Sequence, residues 1–143
     1  MTANLIKATL AKRFKKQKRA VYFELGLNRG GRYRADVFAL AMTGHVIVVE
    51  AKSSVQDFRT DRKMHNYLPF CNKFYLACTS SVYSKIDFKL PGAGVFILSD
   101  DCSRVVKVKP AKNRAIDPEV LSNLIIRAAF RNSDSCTRKN VRV

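Results

Sequence analysis

The chain of 143 residues has no tryptophan, only four cysteines, and 11 acidic residues against 27 basic ones. No segment approaches the roughly 18 uninterrupted apolar residues that a membrane-crossing helix requires, so the sequence predicts no membrane partner. The cysteines, at positions 71, 78, 102 and 136, lack the close-paired spacing of a zinc site. We therefore expect free thiols and a location in the reducing cytoplasm.

The net charge of +16 is the strongest compositional signal, and it predicts a polyanionic partner such as a nucleic acid. Residues 1–35 hold ten basic residues and one acid, whereas residues 36–76 hold five basic residues and four acids. Acids repel phosphate, so a protein that only binds nucleic acid gains nothing from them. The acids of the middle segment therefore need a second explanation.

Hydrophobic periodicity predicts an α/β fold in which a central mixed sheet with an antiparallel three-strand meander is flanked by helices. The predicted helices cover residues 3–19, 55–70 and 117–130. The predicted strands cover residues 21–27, 33–41, 45–51, 73–78, 94–98 and 104–109. The length suits one hydrophobic core, so we assign residues 1–131 to a single domain and residues 132–143 to a basic, flexible C-terminal tail.

The register of the meander can be argued from its turns. If Met42, Thr43 and Gly44 form a three-residue turn, then Asp36 faces Glu50 across the ladder. A five-residue loop over 28–32 would likewise set Glu24 opposite Asp36. A two-residue turn would instead put Asp36 and Glu50 on opposite faces, because a slip of one residue reverses every side chain.

Three acids in a row across three strands are unfavourable unless a cation lies between them. Carboxylates and waters suit Mg²⁺ or Mn²⁺, and such an ion can bind a phosphodiester oxygen and activate a bound water. Lys52 points to the same side of its strand as Glu50, where it could orient that water or offset charge that develops on phosphorus. The alternative interpretation is an ordinary surface ion pair at a strand end.

Asp36 followed by Glu50-Ala51-Lys52 resembles the signature of the PD-(D/E)XK nuclease superfamily. Residues 49–77, VEAKSSVQDFRTDRKMHNYLPFCNKFYLA, are similar in detail to the MmcB-related DNA repair proteins of that superfamily. Ala35 stands where the superfamily name has a proline, which carries no chemistry.

This resemblance implies a restriction-endonuclease-like core and hydrolysis of DNA with Mg²⁺ or Mn²⁺. It implies that Asp36 and Glu50 are metal ligands, that Ala51 contributes a carbonyl ligand, and that Lys52 is the catalytic lysine. Glu24 is a further candidate ligand. Many enzymes of this fold act as dimers, so a homodimer belongs to the expectations.

Basic residues on three predicted elements are candidates to hold the DNA backbone. They are Lys12, Arg13, Lys15 and Lys16 of the first helix, Arg29, Arg32 and Arg34 of the glycine-containing loop, and Arg59, Arg62 and Lys63, with Tyr67, of the helix after Lys52. Asp57, Asp61 and His65, spaced four apart on that helix, are interpreted as a solvated stripe paired with Arg59, Arg62 and Lys63 rather than as a second metal site.

Two other functions stay open at this point. A DNA-binding protein could keep the fold without turnover, and it would bind DNA in the presence of a chelator. An RNA-directed nuclease or binding protein is the other, because phosphate contacts do not separate DNA from RNA.

Overall fold

A computed structural model describes the backbone of residues 1–141 and the side chains of residues 1–133. Its helices are α1 (Thr2–Lys16), α2 (Val55–Thr60), α3 (Ser80–Tyr83) and α4 (Pro118–Val141), with 3₁₀ turns at Arg29–Gly31 and Met64–Phe70. Its strands are β1 (Ala20–Gly26), β2 (Arg34–Leu40), β3 (Val46–Ala51), β4 (Lys73–Thr79), β5 (Gly94–Leu98) and β6 (Val105–Lys109).

The six strands form one mixed sheet in the order β1-β2-β3-β4-β5-β6. Strands β1, β2 and β3 are antiparallel neighbours, β3, β4 and β5 are parallel, and β6 returns antiparallel at the edge. The predicted α/β fold with an antiparallel meander in a mixed sheet is therefore confirmed, and it is consistent with a restriction-endonuclease-like core. None of the helices over the described residues is long and apolar enough to cross a membrane.

Each face of the sheet is covered by helix. On one face α1 buries Ile6, Leu10 and Phe14, which recur at helical spacing, against the odd-numbered side chains of β2 and β3. On the other face α4 and the second 3₁₀ turn pack Leu124, Tyr67 and their neighbours against the even-numbered ones. Strands that are covered on both faces need continuous apolar runs, and every residue of β3 is buried.

The turns of the meander have the predicted lengths. The amide of Ala41 donates to the carbonyl of His45 at 2.9 Å, and Gly44 takes the left-handed conformation (φ +89°) that a three-residue hairpin loop favours. Leu27 N–H donates to the carbonyl of Tyr33 at 2.8 Å, which closes the five-residue loop. The predicted register of the three strands is confirmed.

Two helix predictions were wrong. The helix predicted over 55–70 ends at Thr60, because Asp61 is extended (φ −80°, ψ 121°) and its carboxylate accepts a hydrogen bond from the Lys63 amide, which competes with helix continuation. The last helix continues to Val141 instead of ending near residue 130. It thus enters the segment assigned to a C-terminal tail, whose flexibility stays a prediction.

Candidate metal and nucleic-acid site

The open ends of β2 and β3 bring two carboxylates together. Val37 pairs with Val49, so Asp36 and Glu50 are the next opposed positions of the ladder. Glu50 lies two residues after Val48, on the face that α4 covers. The Asp36 amide donates to Glu50 Oε1 at 3.1 Å, and the Ala51 amide donates to Asp36 Oδ2 at 2.8 Å. These two bonds fix both side chains at the strand ends.

Both carboxyl groups resist ionisation. Burial, followed by the charge of Asp36, raises the pKa of Glu50 to about 9, and the Glu50 side chain is almost fully enclosed. Burial also raises the pKa of Asp36, helped by the charge of Glu24 and opposed by the hydrogen bond from Ala51. Ionising two neighbouring carboxyl groups in this place costs free energy, and a cation bound between them would lower that cost.

The donor set fits a hard divalent ion. Among side chains that the structure describes, neither Asp36 nor Glu50 forms a salt bridge with a cation. Within the same residues no group of three His, Cys, Asp or Glu side chains is arranged to hold a metal. Two carboxylates, with the Ala51 carbonyl and waters completing the shell, suit Mg²⁺ or Mn²⁺.

Glu24 lies opposite Asp36 as predicted, but its side chain leaves the row. Its backbone is left-handed (φ +53°), and its half-exposed carboxylate binds Lys7 at 3.4 Å. Arg131 donates to the carbonyls of Phe23 and Glu24 at 2.8 Å each and so holds this irregular stretch of the edge strand. The expected cluster of three acids is therefore reduced to a pair, and a ligand role for Glu24 stays a prediction.

Lys52 is buried beside the acid pair and is held by two other acids. Its Nζ lies 2.5 Å from Asp61 Oδ2 and 3.9 Å from Asp57 Oδ1. Burial alone would lower the pKa of Lys52, but the hydrogen bond and charge of Asp61, then the charges of Asp57 and Glu50, outweigh it and raise that pKa. Lys52 therefore stays an ammonium group with a fixed position.

Asp61 is the residue whose role the sequence interpretation missed. The solvated-stripe interpretation was wrong, because Asp61 pairs with Lys52 and Asp57 accepts a hydrogen bond from the Ser53 amide. Burial raises the pKa of Asp61 by itself, but the bonds from Lys52 and Lys63 reverse this and leave that pKa below its usual range. The four-residue spacing concealed the role, since it assumed one continuous helix.

The predicted DNA-binding residues lie in three separate places. Lys12, Arg13 and Lys16 line a surface groove of about 450 Å³ between α1 and the start of β6, and the Arg13 guanidinium lies over the Phe96 ring. Lys15 is exposed on the same helix. This groove belongs to the face that α1 covers, opposite Glu50.

The loop and α2 residues lie at the same end of the sheet as the acids. Arg29, Arg32 and Arg34 are exposed around Gly30 and Gly31, whose positive φ angles of 84° and 65° make the tight loop possible. Arg59, Arg62 and Lys63 are also exposed.

Tyr67 differs from the other predicted DNA contacts, because it is a buried core residue. Its ring stacks on Phe74 with an angle of 5° between the planes. Burial, then the charges of Glu50, Asp61, Asp36 and Glu24, raise the pKa of Tyr67, so its hydroxyl stays protonated close to the acids. A DNA contact by Tyr67 stays a prediction.

Residues 1–138 match a protein family described as DNA repair protein MmcB-like. The chain belongs to this MmcB-like family. Membership supports a DNA-related function and confirms the resemblance carried by residues 49–77. No curated protein matches the chain.

Two solved structures share the fold of this MmcB-like chain. The SPO1766 protein of unknown function from Silicibacter pomeroyi is 20% identical, with a TM-score of 0.83, and the match covers 98% of this chain and 92% of that one. An XisH family protein from Nostoc punctiforme PCC 73102 is 19% identical, with a TM-score of 0.51, over 76% of this chain and 98% of that one. At these identities the similarity establishes the fold alone.

Proposed function

We propose that the protein is a metal-dependent DNA nuclease that hydrolyses phosphodiester bonds in DNA repair or processing, and that it acts in the cytoplasm. The observation that carries the proposal is a pair of neighbouring carboxylates at the strand ends, the buried Glu50 and the half-buried Asp36, with no cationic partner among the described side chains. Family membership supports DNA as the substrate. The three cysteines of the described part are buried and free, which agrees with a reducing compartment.

In this proposal Asp36, Glu50 and the Ala51 carbonyl hold Mg²⁺ or Mn²⁺. When bound, the ion would polarise a phosphodiester oxygen and lower the pKa of a water molecule. Asp36 and Glu50 fix where the reaction occurs, since backbone amides hold both carboxylates in place. The Lys52 ammonium keeps its proton and presents a positive charge to the oxygens of the phosphate as negative charge develops on them.

A second candidate is a DNA-binding protein of the same fold without turnover. One observation favours it: Lys52 already has two carboxylate partners, Asp61 and Asp57, so part of its charge is satisfied before any substrate binds. The candidate predicts DNA affinity that survives chelation and no cleavage under any condition. The nuclease predicts cleavage that needs both a metal and Lys52.

Cleavage of plasmid, single-stranded and branched DNA with Mg²⁺ or Mn²⁺ tests the proposal. We expect wild-type cleavage that stops with a chelator and falls at least about 100-fold in Lys52→Ala, the order of loss when a residue that stabilises transition-state charge is removed. Lys89→Ala is the matched control, because Lys89 is an exposed lysine whose one ion-pair partner among the described side chains is Asp87. Tight binding of every substrate with no cutting would favour the binding protein. Parallel RNA substrates separate DNA from RNA as the target.

A further inference from the structure

A second cavity, of about 310 Å³, opens between the segment that joins β1 to β2 (residues 27–33, the glycine loop), the second 3₁₀ turn and α4. The proposed hydrolysis does not use it. Its apolar lining is formed by Leu27, Phe70 and Val120, one from each of these three elements. Leu27 is fully buried and Phe70 is half-buried, so the cavity has a hydrophobic floor with an aromatic ring that still reaches solvent.

The rim of this cavity is polar and carries more positive than negative charge. Arg29 and Arg127 line it together with Glu119 and Asn123. None of the three charged groups forms a salt bridge among the side chains that the structure describes. Arg127 is oriented by a hydrogen bond from its Nε to Asn123 Oδ1 at 2.7 Å, which leaves its terminal nitrogens available to an anion.

The cavity is connected to the acid pair along the chain and through packed aromatic rings. The loop that carries Arg29 leads directly into β2, whose third residue is Asp36. A chain of aromatic contacts also joins the two places. Burial, and then charges that include those of Glu50 and Asp36, raise the pKa of Tyr67. The centroid of the Tyr67 ring is 6.0 Å from that of Tyr33, and the centroid of Tyr33 is 6.4 Å from that of Phe70.

An apolar floor with an aromatic ring, two arginines and an amide is the chemistry that recognises a nucleotide. A base can lie against Phe70 and Leu27, its edge can bond with Asn123 or Glu119, and the arginines can hold the adjoining phosphate. A paired base inside a duplex is stacked and cannot enter such a cavity. The occupant must therefore be an unpaired or extruded nucleotide.

We propose that this cavity binds one unpaired nucleotide of the DNA substrate, close to the phosphate that the acid pair addresses. The inference rests on the proposed function, since it takes DNA as the substrate. It narrows the substrate class to DNA with a single-stranded nucleotide, a bulge or a flipped base next to the site.

Metal-free binding tests the cavity separately from cleavage. Two labelled hairpins, identical except that one has an unpaired thymidine and the other an abasic site there, are titrated in chelator. We expect wild type to prefer the thymidine hairpin about tenfold, the order of effect that stacking of a base on an aromatic ring gives. Val120→Phe fills the cavity and should abolish the preference. Ser122→Phe is the matched control, because it adds the same ring to α4 at an exposed position that does not line the cavity.

Asn123→Ala gives a second variant with little risk to folding, since Asn123 is exposed and alanine favours helix. It should lower the preference several-fold. Equal affinity of the wild type for the two hairpins overturns the nucleotide cavity and leaves the nuclease proposal standing. Absence of metal-free binding to either hairpin also overturns the nucleotide cavity, whereas the nuclease proposal is decided separately by the cleavage assay with metal.

Discussion

The two faces of the sheet differ in whether their charged side chains are buried or exposed to solvent. On the face covered by α4, Glu50 is buried at a strand end beside the half-buried Asp36, and Lys52 is paired with Asp61 and Asp57. On the face covered by α1, Lys12, Arg13 and Lys16 line an open groove and form no salt bridge among the described side chains. A buried charge is costly to desolvate and interacts strongly with its neighbours, whereas an exposed charge is solvated and screened and contributes little by itself. We therefore expect substitutions on the first face to affect chemistry and those on the second to affect affinity.

The largest expected effect is from Glu50→Gln, which should stop cleavage, a loss of at least about 100-fold, while it stabilises the metal-free protein. Burial raises the pKa of Glu50 to about 9, above the value of about 4.3 in an unfolded chain. The folded state thus holds the extra proton, and the free energy of unfolding falls as pH rises from about 4 to about 9. Glutamine removes this dependence, so the melting temperature at pH 8 should rise by roughly 5 °C.

Thermal melts of both proteins from pH 5 to pH 9 in chelator measure this directly. Asp87→Asn, which changes an exposed acid of a surface pair, is the control and should leave the pH profile unchanged. A variant that melts below wild type at pH 8 would show that the acid pair is not strained in the absence of metal.

Metal affinity should rise steeply with pH, because a ligand carboxyl must lose its proton before it can bind a cation. With the pKa of Glu50 near 9, one proton should leave for each ion bound between pH 6 and pH 8. The dissociation constant for Mn²⁺ should therefore fall about tenfold per pH unit. Calorimetric titration in buffers of different ionisation enthalpy measures both the affinity and the released proton. An affinity that does not change with pH would show that Mn²⁺ does not bind through the Glu50 carboxylate.

Asp61→Asn should reduce cleavage about tenfold with little change in KM, because Lys52 loses the partner that fixes its ammonium group. Asp57→Asn is the graded control: its carboxylate lies 3.9 Å from Lys52 Nζ instead of 2.5 Å, so its effect should be smaller. Steady-state kinetics of the three proteins provide the comparison. Equal losses in the two variants would argue against a special role for Asp61.

The smallest expected effect is on the face with the open groove. Lys12→Ala/Lys16→Ala should weaken DNA binding only several-fold, but it should reduce the slope of log affinity against log salt by about 2, one for each phosphate contact that is lost. Lys85→Ala/Lys112→Ala removes two exposed lysines outside the groove and serves as the matched control. If both double variants change the slope equally, the groove binds DNA no better than the rest of this basic surface.

The sequence by itself was enough to predict the acid pair. Its strand pattern and the turn at Met42 to Gly44 set the register, and register alone decides that Asp36 faces Glu50. The prediction from local sequence is reliable here, because the length of a hairpin turn fixes which residues of the two strands face each other. The basic excess and the motif around Lys52 likewise predicted a DNA-related family.

Only the tertiary structure decided how the neighbours of that pair are used. Glu24 has a left-handed backbone, its carboxylate pairs with Lys7, and its carbonyl accepts a hydrogen bond from Arg131, which is distant in sequence. The helix ends at Asp61, whose carboxylate accepts hydrogen bonds from the Lys63 amide and from Lys52 across the site. A local pattern predicts what a segment prefers, but a buried lysine must find its partner in three dimensions. Here that partner is Asp61, which lies where the helix predicted over 55–70 ends.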